Sequence, residues 1–146
     1  MGICCNIKDL EKIWDVNNQY PVITTQRANI IKGHFKDFVH LSLGKVLSLA
    51  LLKYEKTGRK NYVIGELDKI FYNSNLKKVI VDDIDMLFNP GYNIDILGYF
   101  IQSARNRKLI IIWPGKYVSD SLVYASSGYK DYKKYLIKNY NVICVK

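Results

Sequence analysis

Apolar and polar positions repeat along the chain with two different periods, and each period predicts one kind of element. Helical spacing of apolar residues predicts helices over about residues 7–17, 45–56, 62–72 and 94–104. Apolar positions are so dense in the segment 45–56 that we expect this helix to be mostly buried. Short apolar or alternating runs predict strands at 20–25, 37–43, 79–82, 108–113 and 141–145.

The order of these elements predicts the fold class. Strands that alternate with helices form a mainly parallel sheet covered on both faces. The strands at 20–25, 79–82 and 108–113 are continuous apolar runs, as strands buried on both sides should be. The sequence therefore predicts an α/β, three-layer sandwich with a mainly parallel five-stranded sheet. No repeat or linker divides the 146 residues, which favours a single domain over 1–146.

Two adjacent carboxylates, Asp82 and Asp83, end the third predicted strand, which reads VIVDD. In an open α/β sheet, ligands bind outside the carboxyl ends of the strands. At this position in P-loop nucleotide hydrolases, the first acid holds Mg²⁺ and a following acid orients the attacking water. Asp82 and Asp83 are therefore candidate catalytic residues, and Asp82 is the candidate Mg²⁺ ligand. The alternative is a strand that simply exits into solvent.

The segment after the first strand lacks the phosphate-binding half of such a site. It reads TTQRANIIKGHF, with one glycine, Gly33, and no Gly-Lys pair. A phosphate cradle needs glycines that let backbone N–H groups close around the phosphates, and a Lys that reaches their oxygens. Arg27 and Lys32 remain as isolated cations and are weak candidates for cofactor binding. We therefore predict a P-loop NTPase-like topology with a degenerate phosphate loop, and Mg²⁺-ATP stays open as a cofactor.

Positive charge is concentrated in the C-terminal third. Residues 105–146 hold nine Lys or Arg against two Asp, whereas residues 1–104 hold thirteen against eleven acids. Such an excess of cations predicts a polyanionic partner, or an acidic patch on a protein partner. The candidate contacts to DNA or to a partner subunit are Arg105, Arg107, Lys116, Lys130, Lys133 and Lys134. The alternative for the lysines is a solvated surface, and either arginine is also a candidate arginine finger toward a neighbouring subunit.

Half of the twelve tyrosines lie in the same third, and we expect them to pack in the core or at its rim. Tyr129, Tyr132 and Tyr135 are spaced by three residues, which suits one face of a helix. His40, in the second predicted strand, is expected to be a half-buried structural residue.

The cysteines are Cys4, Cys5 and Cys144, an odd number with no zinc spacing. No apolar run approaches the roughly 20 residues of a membrane span. The sequence therefore predicts a reduced, cytoplasmic protein with no membrane segment, and leaves oligomerisation open.

Three segments of the C-terminal half resemble one known family. They read VDDIDMLFNP, SARNRKLIIIWPG and LVYASSGYKDYKKY. The residues that carry the likeness are Asp82, Leu87, Phe88, Arg105, Asn106, Arg107, Trp113, Gly115, Leu122, Tyr124, Ala125, Asp131 and Tyr132. Over residues 77–140 the chain resembles the BrxF family, small P-loop-fold proteins of type 3 BREX bacteriophage-resistance systems.

The resemblance implies a protein that works with other BREX subunits in a bacterial antiviral defence system, in which methylation and the main ATPase activity belong to other components. It does not imply ATP binding, because TTQRANII stands where a Gly-rich loop is expected. The leading hypothesis is a non-catalytic accessory subunit that binds DNA or partner subunits through its basic C-terminal region. The alternatives are a Mg²⁺-dependent ATP hydrolase with an atypical phosphate loop, and an interaction module with no nucleic acid role.

Overall fold

The computed structural model describes residues 1–72 and 75–146. Its helices are α1 (Leu10–Val16), α2 (Ala28–His34), α3 (Leu43–Leu51), α4 (Val63–Tyr72) and α5 (Ile96–Ser103). Its strands are β1 (Ile3–Cys5), β2 (Val22–Thr24), β3 (Val39–Ser42), β4 (Lys78–Asp82), β5 (Lys108–Ile112), β6 (Lys116–Val118), β7 (Ser121–Tyr124), β8 (Lys133–Leu136) and β9 (Ile143–Val145). In this described part, no helix has the length and apolar character needed to cross a membrane.

Six strands form one parallel sheet in the order β1-β9-β2-β5-β4-β3. Five of them match the predicted strands, which confirms the α/β class and the parallel sheet. The sixth strand, β1, was not predicted from the sequence. It is stabilised by pairing with β9, from Ile3 opposite Ile143 to Cys5 opposite Val145.

Both faces of the sheet are covered, which is compatible with a three-layer sandwich. On one face, Leu10 and Trp14 of α1 and Ile31 of α2 pack against Ile80 and Ile110. Helices α3, α4 and α5 cover the opposite face, where they pack on the alternate strand residues Ile23, Val79, Val81, Leu109, Ile111 and Cys144. Successive strand residues point to opposite faces, so burial on both sides explains the continuous apolar runs.

Between β5 and β9 the chain forms a small antiparallel sheet in the order β6-β7-β8. The helical interpretation of Tyr129, Tyr132 and Tyr135 is therefore wrong. Tyr132 N donates to Tyr129 O in a turn, and β8 begins at the next residue, Lys133. Tyr135 instead lies in β8, opposite Leu122 of β7, and contributes to the core.

Helix α3 is less buried than the sequence predicts. Its inner face is buried and consists of Leu43, Gly44, Leu47 and Leu51. Val46, Leu49 and the following Leu52 remain 38%, 63% and 63% exposed. The prediction of a mostly buried helix is wrong for this chain because the other elements cover α3 from one side only.

Candidate functional site

The carboxyl ends of parallel strands form the sheet edge at which ligands bind in this architecture. Asp82 is the last residue of β4, and its side chain is 34% exposed. Asp82 Oδ2 lies 3.4 Å from His40 Nε2 on β3, and Asp82 Oδ1 accepts a 2.8 Å hydrogen bond from the backbone N–H of Asp83. Both carboxylate oxygens of Asp82 therefore already have a partner within the chain.

Asp83 follows β4 and contacts the neighbouring edge strand β3. Its φ is +58°, in the left-handed region that few non-glycine residues adopt. Ser42 Oγ donates to Asp83 Oδ2 over 3.1 Å, and Gly44 N donates to Asp83 O over 2.8 Å. A Cβ at Gly44 would lie 2.6 Å from that carboxylate oxygen, so the close approach requires glycine. The second acid of the predicted pair is thus fixed at the corner between β3 and α3.

The connection between β2 and α2 is where a phosphate cradle would lie. It has three residues, Thr25, Gln26 and Arg27. The backbone N–H of Gln26 donates to Thr24 Oγ1 over 3.0 Å, and Gln26 Nε2 donates to the carbonyl of Lys146 over 2.8 Å. A Gly-rich loop needs a longer segment and free N–H groups that converge on the anion. The residues present at this edge do not fit bound Mg²⁺-ATP.

The two isolated cations of this region do not converge on one point. Arg27 is the exposed N-cap residue of α2, and Lys32 is exposed in its last turn. Five helical steps separate them by about 7.5 Å along the axis. Among residues 1–72 and 75–146, no three His, Cys, Asp or Glu side chains are grouped so as to hold a metal ion. Asp82 ends β4, as predicted for the Mg²⁺ ligand, and its Oδ2 lies 3.4 Å from His40 Nε2.

The cations predicted to contact DNA or a partner occupy two separate surfaces. Arg105 and Arg107 immediately precede β5, at the amino ends of the strands. The others belong to β6, β8 and the loop before β8, beyond the carboxyl end of β5: Lys116, Lys130, Lys133 and Lys134. The length of β5 separates the two groups by about 17 Å. The sequence suggests one basic surface, whereas the fold makes two.

On the small sheet, Lys116 and Lys134 lie on the same face. Both are opposite Val123 of the central strand, so about 10 Å separates their strands. Both lysines are exposed. The neighbouring positions Leu122 and Tyr135 point the other way and are buried. The outer face of this sheet is therefore cationic.

The prediction that tyrosines pack in the core is confirmed for Tyr124 and Tyr135. The ring of Tyr124 stacks on Phe88 with 3.8 Å between centroids, and the Tyr135 hydroxyl accepts a 3.2 Å hydrogen bond from Ile96 N. Burial raises the pKa of both phenols. Tyr129 is 69% exposed and presents its ring on the surface.

Arg107 has a structural contact that the sequence did not suggest. Its Nη1 donates to the carbonyl oxygen of Phe71, in the last turn of α4. Its guanidinium also lies 5.3 Å from the ring centroid of Tyr72. Carbonyls of the last helical turn lack partners within the helix, so Arg107 stabilises the end of α4. The arginine-finger role remains a prediction for the exposed Arg105.

Sequence reasoning missed the cations that surround Arg105. A cavity of about 330 Å³ at the amino edge is lined by Arg105 and Arg107 together with Lys77, Lys78 and Lys108. Lys78 and Lys108 are register partners on β4 and β5, so they meet only because these two strands are neighbours. The available signal was a basic pair ahead of each apolar run, in KKVIV and RKLIII.

The partners of the carboxylates were missed for the same reason. The alternating pattern of β3 places His40 and Ser42 on one face of the strand but does not show which strand lies beside it. The side chain of His40 is 30% exposed, and it faces Asp82. No family model, curated protein or solved structure gives a significant match to the chain.

Proposed function

We propose that the protein is a non-catalytic accessory subunit of a cytoplasmic, BREX-type antiviral defence system, in which it contacts DNA or partner subunits through its cationic surface. The pathway and the BREX partners rest on the family resemblance. The observation that carries the non-catalytic part is the three-residue connection between β2 and α2. Such a short connection cannot hold nucleotide phosphates beside Asp82.

A P-loop-like topology is part of this proposal, and the strand order supports it. The parallel strands β2 and β4 place Thr24 and Asp82 at the same edge, with β5 between them. In P-loop hydrolases the phosphate loop follows one strand and the Mg²⁺-binding acid ends another at that edge. Helix α2 follows β2 directly, as the helix after a phosphate loop does. What departs from the P-loop pattern is the connection, which is too short for a cradle.

Calorimetric titration with Mg²⁺-ATP tests the non-catalytic part. We expect no binding tighter than about 1 mM, because no set of backbone N–H groups converges on the phosphates. Micromolar binding that Asp82→Asn abolishes would overturn the proposal in favour of an ATP-hydrolysing protein. Asp85→Asn is the matched control, since Asp85 accepts a 3.4 Å hydrogen bond from the Tyr124 hydroxyl and does not end a strand.

The alternative of a Mg²⁺-dependent ATP hydrolase is favoured by one observation. Asp82 lies at the carboxyl end of β4, and its side chain is 34% exposed, as a metal ligand at this edge would need. Nucleotide titration therefore separates the two functions without any knowledge of the partner.

Binding of a fluorescent 20-base-pair duplex, followed by anisotropy, tests the DNA half. Contacts between lysines and phosphates release counterions, so affinity should fall steeply between 50 and 200 mM salt, as the general behaviour of such interfaces requires. Absence of binding at 50 mM salt or below would contradict DNA as the partner of this protein.

A further inference from the structure

Several cations lie around one cavity at the amino edge of the parallel sheet, and acids line the neighbouring cavity that shares Lys78 and Lys108. Five cations, Lys77, Lys78, Arg105, Arg107 and Lys108, line a cavity of about 330 Å³ between the starts of β4 and β5. The other described residues that line it are uncharged. Positive charge gathered in a concave surface, with no acid among its described lining residues, raises the local potential and attracts anions.

Strand pairing brings these cations together. Lys78 lies opposite Lys108 on neighbouring strands, about 4.8 Å apart, and Lys108 N donates to the carbonyl of Lys77 over 2.8 Å. Arg105 joins them through the short 3₁₀ turn Ala104–Asn106, which ends at the start of β5. Like charges placed directly opposite each other destabilise a sheet. The contacts that offset this repulsion involve Lys78, Lys108 and Arg107, and leave Lys77 and Arg105 without a partner that folding explains.

Some of these cations are held in place and others are free. Lys78 Nζ lies 2.7 Å from Asp37 Oδ2, and Lys108 Nζ lies 5.0 Å from the ring centroid of Trp14. The hydrogen bond from Lys78 lowers the pKa of Asp37. Lys77 and Arg105 are exposed and make no ion pair within residues 1–72 and 75–146. The two free cations therefore remain available to an anion.

Arg107 adds an unsatisfied donor to the same wall. Its Nη1 is bonded to the carbonyl of Phe71, but its buried Nε has no hydrogen-bond partner among the described residues. This Nε has almost no accessible surface, so Arg107 forms part of the cavity wall and does not itself offer a contact to an anion.

We infer that this amino edge binds the phosphodiester backbone of nucleic acid, with the unpaired Lys77 and Arg105 as the contacting cations. The inference rests on the DNA half of the proposed function and assigns that contact to the edge opposite Asp82. A protein-binding surface would carry an apolar centre, whereas nucleic acid interfaces are polar and strongly positive. Asn18 and Gln19 also line the cavity and offer amide donors of the kind that contact phosphate oxygens.

Two variants that remove equal charge test the assignment by duplex DNA anisotropy. Lys77→Gln/Arg105→Gln removes both free cations of the amino edge, and Lys116→Gln/Lys134→Gln removes two from the small sheet. All four side chains are exposed, so both variants should fold. The amino-edge variant should bind about tenfold or more weakly at 50 mM salt and lose about two units of the salt slope, one for each cation. We expect the small-sheet variant to change affinity by less than about twofold, because its lysines lie on another surface.

Each other outcome decides against the inference in a distinct way. Equal losses in both variants, or a loss in the small-sheet variant alone, would overturn the amino-edge assignment and leave the proposed DNA binding intact. Absence of DNA binding by the unmodified protein would contradict the DNA half of the proposed function and the inference together. Polyglutamate is then the probe. If it binds and Lys77→Gln/Arg105→Gln weakens it, the edge is a site for an acidic protein.

Discussion

The two edges of the parallel sheet differ in how far their charged groups are already satisfied. At the carboxyl edge, Asp82 contacts His40 and Asp83 contacts Ser42, so the carboxylates are bonded within the chain. At the amino edge, Lys77 and Arg105 make no ion pair in the described part of the chain. The topological rule marks the carboxyl edge, where Arg27 is an isolated exposed cation, whereas at the amino edge several cations surround one cavity.

The largest loss of stability is expected from substitution of Arg107, which supports the end of α4, and the matched control is its exposed neighbour Arg105. Arg107→Ala removes a charge-assisted hydrogen bond to Phe71 O and the ring contact with Tyr72, and we expect it to lower the free energy of unfolding by about 3 kcal/mol. Arg105→Ala, at an exposed position, should cost less than about 0.5 kcal/mol. Urea denaturation measures both. Equal losses would mean that Arg107 does not support α4.

At the carboxyl edge, one added methyl group at Gly44 is expected to destabilise the protein. Gly44→Ala places a Cβ 2.6 Å from Asp83 Oδ2 and 2.9 Å from Asp83 O, and we expect a loss of about 2 kcal/mol from this overpacking. Gly65→Ala is the matched control, because Gly65 is exposed in α4 with nothing within 4 Å of its Cβ. Higher helix propensity should make that variant more stable by up to about 1 kcal/mol. Thermal and urea unfolding check both signs, and a neutral Gly44→Ala would show that Asp83 is free to move.

Glu66 is a third carboxylate that is bonded within the chain, and two of its partners are lysines. Hydrogen bonds from Lys53 Nζ and Tyr54 Oη, each 2.8 Å long, lower the pKa of Glu66 from 4.5 to about 2. Since the folded pKa is the lower one, this stabilisation is present above about pH 4.5 and is lost as the pH falls toward 2. Glu66→Gln should therefore melt below the unmodified protein at pH 7. The two melting curves should converge on acidification, and a pH-independent difference would contradict this account.

The smallest effect is expected from the pair at the end of β4. His40 and Asp82 side chains are 30% and 34% exposed, so His40→Ala should change the free energy of unfolding by less than about 1 kcal/mol. Asp37→Asn, which breaks the other exposed pair with Lys78, is a control of the same kind. Urea denaturation at low salt measures both. A loss above about 2 kcal/mol for His40→Ala alone would mark that pair as structural support.

Local patterns predicted most elements because helix and strand periods are properties of neighbouring residues. The strands ending at Thr24 and Asp82 were readable from their apolar runs. The small sheet was not, since the spacing of Tyr132 and Tyr135 also suits a helix face, whereas the structure of Tyr135 is set by pairing of β8 with β7.

The candidate site was predictable only in part. Asp82 and Asp83 stand out because they follow an apolar run directly. Their partners and the amino-edge cavity depend on strand order, which places Lys78 beside Lys108 although thirty positions separate them in the sequence. Pairing of this kind is long-range and leaves no local pattern. The nearest local signal is that β4 and β5, which are otherwise apolar in their centres, each begin with a lysine.

Strand β9 lies between β1 and β2, yet it is made after every other strand. During synthesis, β1 therefore has no partner until the last strand has left the ribosome. The register pairs Ile3 with Ile143, and contacts between positions so far apart in sequence form slowly because a long loop must close first. Until β9 pairs, β1 and the edge of β2 that faces away from β5 remain open to wrong pairing.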